Sequence, residues 1–312
     1  MNKIISSQTK TLLTYSLIKG IGPATIKKLI KLENFFEMPL EEVLQIDFIG
    51  KKIPSIEVFN SAVSGSDNQI ELSNKYNGQI LSILDDSYPP LLRETPDAPC
   101  IIYIRGNLQH FSDKYISVIG TRQPTRHGQI IAERITENCV TNGCSIVSGL
   151  ALGVDTIAHR TAVNMKSHTI AVMAHGLDIV APIQNSSLAQ EILEAGGALV
   201  SQFPYGNQPI PANFVTRDKT QAGLAHGVIM IQSDLQGGSL HASRSALRYN
   251  RWLAVPNPTQ EDLKLQSPKI QANLVINGQD TEKAKQLLQV SSLENVITLN
   301  SKEDYGLFLN KL

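Results

Sequence analysis

Short apolar segments alternate with helical patterns between residues 115 and 256, and this alternation constrains the fold more than any other feature of the chain. The apolar runs lie at 116–119, 145–148, 169–173, 198–201, 227–231 and 252–255. The helical patterns lie at 127–141, 153–165, 186–195, 213–225 and 239–250. Each apolar run is short and continuous, as is typical of a strand covered on both faces. The alternation predicts an α/β fold with a doubly wound, mostly parallel sheet.

The flanking segments are predicted to form smaller units. Residues 1–65 have helical patterns, and Gly20-Ile-Gly-Pro23 ends one helix and begins the next. This segment looks like a helix-hairpin-helix or SAM-like unit, in which glycine N–H groups can contact a phosphate. A tight turn that only packs two helices is the alternative. The polar residues 61–80 are predicted to form a linker. Residues 280–290 are predicted to form a helix. We therefore divide the chain into a small N-terminal all-helical domain (1–65), a sheet domain (66–278) and a short C-terminal extension (279–312).

The overall charge does not mark the chain as a nucleic-acid-binding protein. Lys plus Arg and Asp plus Glu both number 28, so the formal net charge is zero. Bulk charge is a weak criterion, because a local basic patch is enough to bind a polyanion. Residues 100–260 contain twelve basic and nine acidic side chains, so the middle of the chain is mildly positive.

The cysteine pattern and the absence of targeting signals suggest a cytoplasmic protein. Cys100, Cys139 and Cys144 have neither metal-ligand spacing nor the density of a disulfide framework. The first residues lack a signal-peptide pattern, and no apolar run approaches the ~18 to 20 residues that span a bilayer. The histidines also lack zinc-ligand spacing. We expect a soluble cytoplasmic protein with no metal, no other cofactor and no membrane partner.

Glycine and small polar residues recur directly after the predicted strands. Because the carboxyl ends of parallel strands share one edge of a sheet, backbone N–H groups and helix N-termini there can surround an anion. Arginine and lysine donors would add charge. The sequence lacks G-x-G-x-x-G and the P-loop motif, so the pattern favours a phosphate-bearing ligand without a dinucleotide fingerprint. The candidate residues are Gly120, Thr121, Arg122, Ser148, Gly149, Arg217, Lys219, Gly238 and Ser239.

Four further side chains are candidates for supporting roles. Asp155 and His159 are four residues apart on one helix, so they could form an acid–base pair. We favour a structural role for both, with Asp155 capping its helix and His159 locking the helix in place by a hydrogen bond. Phe203 and Phe214 flank the basic segment and could stack on a nucleobase.

Several motifs occur together in one order and resemble the DprA/Smf DNA-processing family over about residues 80–278. The Ser148 to His159 string is the most specific of them. The matching segments are Tyr88-Pro-x-x-Leu92, Tyr103-x-x-Gly106, Ser117-Val-Ile-Gly-Thr-Arg122, Ser148-Gly-Leu-Ala-Leu-Gly-Val-Asp-Thr-Ile-Ala-His159, Gly176-Leu-Asp178, Pro182-x-x-Asn185, Phe214-x-x-Arg217-x-Lys219, Ala222-Gly-Leu224, Gly238-Ser-Leu240 and Ala254-Val-Pro256.

The resemblance implies a DNA-binding protein and not an enzyme. Members of that family bind single-stranded DNA in an extended Rossmann-like domain and protect it during natural transformation, the DNA uptake of competent cells. They help load the RecA recombinase and commonly form homodimers. Arg122 matches the family's arginine after the first strand. Arg217 and Lys219 match the two basic residues of its Phe-Pro-x-Arg-Asn-Arg segment.

The chain departs from the family pattern at the basic segment. It has Phe214-Val-Thr-Arg217-Asp218-Lys219, so the proline is missing and an aspartate replaces the asparagine. Asp218 could pair with a neighbouring base and reduce the positive field.

Two other functions remain open from the sequence. A nucleotide sensor could use the same strand-end pocket for a free nucleotide. A nucleoside-monophosphate phosphoribohydrolase is less favoured, because such enzymes carry a glutamate just after a Gly-Gly-Ser/Thr stretch. The stretch Gly237-Gly-Ser-Leu-His-Ala-Ser-Arg244 offers no carboxylate.

Overall fold

The computed structural model describes residues 5–53, 55–108 and 114–312. Within these residues one sheet contains nine strands in the order β1-β2-β6-β5-β4-β3-β7-β8-β9. The strands are β1 (Gly78–Ser82), β2 (Ile101–Gly106), β3 (Tyr115–Ile119), β4 (Ser145–Ser148), β5 (Thr169–Met173), β6 (Ala198–Ser201), β7 (Gly227–Met230), β8 (Trp252–Pro256) and β9 (Val296–Leu299).

The helices precede, separate and follow these strands. They are α1 (Ser7–Ser16), α2 (Pro23–Leu29), α3 (Leu40–Leu44), α4 (Asp47–Gly50), α5 (Ile56–Lys75), α6 (Pro90–Arg93), α7 (Arg126–Thr141), α8 (Val154–Asn164), α9 (Ser186–Glu194), α10 (Pro211–Gly223), α11 (Ser239–Arg248), α12 (Gln260–Lys264), α13 (Gln271–Ile276), α14 (Thr281–Leu288) and α15 (Glu303–Leu309).

The strand order reverses between β3 and β7. From β3 the chain builds outward through β4, β5 and β6 in parallel, and then returns to add β7, β8 and β9 on the other side. Only the β1–β2 and β2–β6 pairs are antiparallel among the described strands. The neighbouring carboxyl ends of β3 and β7 therefore form the switch point, where doubly wound sheets bind their ligands.

Alternate strand residues pack on opposite faces of the sheet, as the two-residue period of a strand requires. Ile229 of β7 lies in the core cluster formed by α7, α8 and α15. Its neighbours Val228 and Met230 lie in the cluster formed by α11, α13 and α14. The predicted α/β fold with a doubly wound, mostly parallel sheet is confirmed, and each predicted strand and helix between 115 and 256 is present.

The prediction of a linker at residues 61–80 is wrong. This polar segment contains about the last four turns of α5 and the beginning of β1. Its buried residues, Ala62, Ser66, Gln69 and Ser73, follow a helical period. Ala62 lies in the hydrophobic core, whereas the polar residues are buried with hydrogen bonds: Thr14 Oγ1 donates to Ser66 Oγ over 3.1 Å.

Gln69 joins α5 to the loop after β6. Its amide nitrogen donates to the carbonyl oxygen of Tyr205 over 3.2 Å, and its amide oxygen accepts from the Tyr205 N–H over 2.8 Å. Because a buried amide needs both kinds of partner, this reciprocal pair makes a polar helix compatible with a buried interface.

The C-terminal segment contributes a strand and a helix to the sheet domain. β9 pairs in parallel with β8, and Phe308 of α15 lies in the same core cluster as Ile116 and Val118 of β3. The predicted helix at 280–290 corresponds to α14. The helical segment, the sheet and the C-terminal segment pack against one another. The predicted domain boundaries at residues 65 and 278 therefore stay predictions.

Candidate functional site

A pocket of about 360 Å³ lies at the switch point between β3 and β7. Its lining comes from the segment after β3, the loop after β7, one face of α10 and the beginning of α11. A volume of roughly 300–1,000 Å³ is typical of pockets that hold small molecules. The predicted residues that line it are Gly120, Thr121, Arg122, Asp155, Phe214, Arg217, Gly238 and Ser239.

Arg122 is an exposed side chain that lies against an aromatic ring. Its guanidinium carbon lies 5.4 Å from the centre of the Phe214 ring. Arg122 makes no ion pair with any residue that the structure describes. Its charge is therefore available to a ligand, while the ring restricts the orientation of the guanidinium.

Arg217 is buried, and protein groups occupy most of its donors. Nη1 donates to the carbonyl oxygens of Gly149 and Val172, over 2.5 and 3.0 Å. Nε donates to Asp218 Oδ1 over 3.0 Å. Nη2 is the guanidinium nitrogen without a hydrogen bond to the described residues, so it alone can reach a ligand without breaking an internal bond.

Two buried carboxyl groups lie beside Arg217 in the pocket. Burial raises the pKa of Asp218 to about 6, and it also raises the pKa of Asp155, while the nearby Arg217 opposes both shifts. The described lining contains three basic side chains (Arg122, Arg217 and Lys269) and three carboxyl groups (Asp155, Asp218 and Asp234). The pocket is thus nearly balanced in charge, and the proton on Asp218 affects that balance.

Asp155 fixes the loop between β4 and α8 through two hydrogen bonds. Its Oδ2 accepts hydrogen bonds from the N–H groups of Gly149 and Ala151, over 3.2 and 3.3 Å. Gly153 is the N-cap of α8, so the expected capping by Asp155 is replaced by this contact with the preceding loop. Asn185 binds the same loop from the other side, where its amide nitrogen donates to the Leu150 carbonyl oxygen over 2.8 Å.

His159 is fully buried and is hydrogen-bonded to β5 of the sheet. Its Nδ1 lies 2.8 Å from Thr169 Oγ1, and that hydroxyl donates its proton to the Ile146 carbonyl oxygen. His159 Nδ1 must therefore be the donor to Thr169. Burial lowers the pKa of His159 to about 3, so the ring is neutral. No hydrogen bond joins Asp155 to His159 in the described part of the chain.

The pocket glycines differ in what surrounds them. A Cβ on Gly120 would lie 2.6 Å from Val154 Cγ2, so this glycine lets β3 approach α8 as well as lining the pocket. Gly238 has open space where a Cβ would be, at the N-cap of α11. Ser239 Oγ donates to Ser233 Oγ over 2.8 Å. The pocket therefore has free space beside Gly238, at its α11 end.

The remaining predicted residues lie outside the pocket. Ser148 is fully buried, and its Oγ donates to the Val118 carbonyl oxygen over 2.7 Å. Gly149 is in contact with the Arg217 guanidinium. Lys219 lies on another face of α10, with Nζ 3.5 Å from Asp97 Oδ2, and Phe203 is half-buried in the turn after β6. Arg122 and Lys219 therefore do not share one pocket.

Sequence reasoning missed the polar residues that shape the β7 side. Gln232 Oε1 accepts a hydrogen bond from the Thr125 N–H over 3.0 Å, and Gln232 Nε2 donates to Thr125 Oγ1 over 2.9 Å. These two bonds fix the turn that follows Arg122. Asn273 accepts from the Ser233 N–H over 3.1 Å, and Lys269 pairs with Asp234 over 3.1 Å. Asn273 had a signal in the sequence, since the stretch Ile270-Gln-Ala-Asn273-Leu-Val-Ile resembles a Gly-Ser-Asn-x-Leu-Ile stretch of the DprA/Smf family. Gln232 and Lys269 had none.

Neither a metal-binding cluster nor a membrane-spanning helix is found within the described residues. They contain no group of three or more His, Cys, Asp or Glu side chains arranged to hold a metal ion. Among the described helices, none combines the length and the apolar character needed to cross a bilayer.

Comparison with known sequences identifies relatives of the chain. Residues 79–284 match the sequence model of the family described as DNA recombination-mediator protein A. Protein Smf of Synechocystis sp. is 31% identical over 280 residues, which cover 85% of this chain and 68% of that protein. DNA processing protein DprA of Streptococcus pneumoniae is 34% identical over 203 residues, 64% of this chain and 71% of that protein. The match to Escherichia coli protein Smf, at 35% identity, spans 49% of that protein.

Two solved structures resemble the chain. The crystal structure of DprA from S. pneumoniae superposes with a TM-score of 0.72 at 26% identity and covers 97% of both chains. DNA processing protein A from Helicobacter pylori, whose structure is described as showing a single-stranded DNA binding mode, has a TM-score of 0.53 at 27% identity. It covers 68% of this chain and 97% of its own.

The matched region contains strands β2 to β8, the pocket and every residue proposed above as a ligand contact. Recombination mediation is not an enzymatic activity, in agreement with the expectation that the chain is not an enzyme. The chain belongs to the DNA recombination-mediator protein A family, the DprA/Smf group of DNA-processing proteins.

Proposed function

We propose that the chain binds single-stranded DNA and that one phosphate of the strand enters the switch-point pocket. The observation that carries this proposal is the position of Arg122, exposed, without an ion pair in the described structure, and held against Phe214 at the pocket. A charge-assisted hydrogen bond from guanidinium to phosphate is the contact that such a side chain forms best. The H. pylori relative, described as binding single-stranded DNA, supports the same ligand.

The other pocket residues take different roles in this proposal. Gly120, Thr121, Gly238 and Ser239 surround the phosphate with backbone N–H groups and the Thr121 hydroxyl, near the N-terminus of α11. Arg217 fixes the loop after β4 at the base of the pocket, and its Nη2 offers one hydrogen-bond donor to the phosphate. Phe214 lies between the two guanidinium groups, 5.4 Å from Arg122 and 5.8 Å from Arg217, and offers a ring edge to a base. Ser148, Gly149, Asp155 and His159 hold the loops that carry these contacts.

We extend the proposal to the cellular role, the partner and the oligomeric state, with family membership as support. The chain acts in the cytoplasm during DNA uptake and recombination, where it protects single strands and helps to load the RecA recombinase. A homodimer is the working unit.

A nucleotide sensor is the second candidate, and the pocket volume of about 360 Å³ favours it. A cavity of this size can hold a single nucleotide. Its carboxyl groups, Asp155 and Asp218, could accept hydrogen bonds from the amino groups of a base. A phosphoribohydrolase gains no support, since α11 has no acidic residue in its first turn.

The test is fluorescence anisotropy of a labelled ~30-nucleotide single strand at two salt concentrations, with duplex DNA of the same sequence as competitor. Single-strand binding that weakens with salt and resists the duplex supports the proposal. No binding at low salt overturns it. In that case, free nucleotides tested by calorimetry decide whether the pocket holds a mononucleotide.

A further inference from the structure

A second cavity, of about 440 Å³, lies where the N-terminal helices meet the sheet domain. Three lysines of the α2 segment, Lys27, Lys28 and Lys31, line one wall. Pro96, Asp97, Gln202, Thr216 and Lys219 line the other wall. We call this cavity the lysine cleft.

The lysine cleft carries an excess of positive charge. Asp97 is the one carboxylate among its described lining residues, and it already pairs with Lys219 over 3.5 Å and with Arg248 over 2.9 Å. Lys27 donates to the Pro96 carbonyl oxygen over 3.0 Å, and Lys28 lies 5.7 Å from the centre of the Phe48 ring. None of the three α2-segment lysines pairs with a carboxylate in the described structure. In a chain with no net charge, this local excess favours a polyanionic partner.

α10 separates the lysine cleft from the switch-point pocket. Phe214, Arg217 and Asp218 of this helix line the pocket, while Thr216 and Lys219 line the cleft. The two cavities are thus on two sides of a single helix, which is about 10–12 Å wide with its side chains. An extended strand that leaves the pocket has to cross only this helix to reach the lysines.

We propose that a single strand held in the switch-point pocket continues over α10, and that Lys27, Lys28, Lys31 and Lys219 bind its next phosphates. This inference rests on the proposed function. It makes the N-terminal helical unit a part of the nucleic-acid interface, through lysine side chains instead of the hairpin glycines. Contacts of this kind position the strand and strengthen binding without reading its sequence.

The experiment compares the wild type with Lys27→Gln/Lys28→Gln/Lys31→Gln on strands of 6, 12 and 30 nucleotides. Affinity of the wild type should rise with length, and the variant should lose most of that rise. The slope of log K against log salt on the 30-mer should become shallower by about 2, because each single-strand phosphate contact contributes about 0.7. A triple variant of exposed lysines elsewhere, Lys264→Gln/Lys283→Gln/Lys302→Gln, is the control and should behave as the wild type.

The single variant Lys31→Gln guards against a folding defect, since this exposed side chain makes no hydrogen bond or ion pair in the described residues. It should reduce the slope by about 0.7. If the wild type binds the 30-mer and the triple variant binds it with the same affinity and slope, the proposed role of the lysine cleft is wrong. The proposed role of the switch-point pocket is then unaffected. If the wild type binds no single strand, the proposed function and this inference both fail.

Discussion

The guanidinium group of Arg217 occupies the space that a side chain at Gly149 would require. Nη1 of Arg217 also donates to the Gly149 carbonyl oxygen, so the arginine of α10 is fixed to the loop after β4. The glycine of the Ser148-Gly149 motif is thus explained by an arginine 68 residues later. The two family motifs form one structural unit below the pocket.

Gly149→Ala should lower the free energy of unfolding by about 1–3 kcal/mol, because the added methyl group displaces a guanidinium that is buried and hydrogen-bonded. Urea unfolding measures the effect. Gly306→Ala is the control, since this exposed helical glycine has open space around it and alanine should stabilise α15 by about 0.5–1 kcal/mol. Equal midpoints for Gly149→Ala and the wild type would show that Arg217 moves away without cost.

Arg122→Ala should weaken single-strand binding by about 1–2 kcal/mol without a change in stability, the scale of a lost charge-assisted hydrogen bond. Anisotropy titration and thermal unfolding measure the two effects. Arg134→Ala, which removes an exposed arginine from α7, should leave affinity unchanged. A normal affinity for Arg122→Ala would remove this residue from the interface.

Phe214→Leu should weaken single-strand binding by about 1 kcal/mol, since leucine fills the space but cannot offer a ring to Arg122 or to a base. Phe203→Leu should have little effect, because Phe203 lies outside the pocket. The same titration compares the two variants. A larger loss for Phe203→Leu would place the stacking contact at the turn after β6.

Single-strand binding should strengthen as the pH falls from about 7.5 to 5.5, because Asp218, whose pKa burial raises to about 6, loses its negative charge in this range. Protonation of Asp218 at lower pH should also raise the free energy of unfolding. A carboxyl group with a raised folded-state pKa binds a proton more readily when folded, so its cost to stability falls as the pH drops below about 6 and is gone below its ordinary pKa of 3.8. Asp218→Asn should bind more tightly at pH 7.5 and flatten the pH profile. A variant that keeps the full pH dependence would assign the titration to another group, with Asp155 the next to examine.

Phe308→Ala should lower the free energy of unfolding by about 3–5 kcal/mol, as expected for a buried phenylalanine in a shared core. Its neighbour Leu307 is 60% exposed, so Leu307→Ala should change stability by no more than about 0.5 kcal/mol. Urea unfolding of both variants provides the comparison. Similar small effects would mean that residues 303–309 are an appendage and not part of the core.

The strands from β3 to β8 were predictable because each is a continuous apolar run between turn residues. The segment of α5 was not, since Ser66 and Gln69 are buried through partners 52 and 136 residues away, which composition does not reveal. β9 is short and half-buried, and its identity depends on the edge that β8 offers.

The site was predicted in part, for a reason that lies in helix geometry. Arg122 and Arg217 do meet at the pocket. Lys219 does not, because residues two apart on an α-helix point about 200° away from one another. The sequence shows Arg217 and Lys219 as one basic motif, and the helix separates them into two cavities. The ion pair of Arg217 with Asp218 confirms that the substituted acid offsets a base.

The packing of Phe308 against β3 has a consequence for the nascent chain. Lys114 and Leu309, which are joined by a hydrogen bond, are 195 residues apart, so the contribution of α15 to the core beside β3 is missing while all the intervening chain is translated. At roughly 5–20 residues per second, that interval lasts about 10–40 s. During this time α7 and α8 cover that face of the sheet without α15, and this protein completes its central core only after most of its translation.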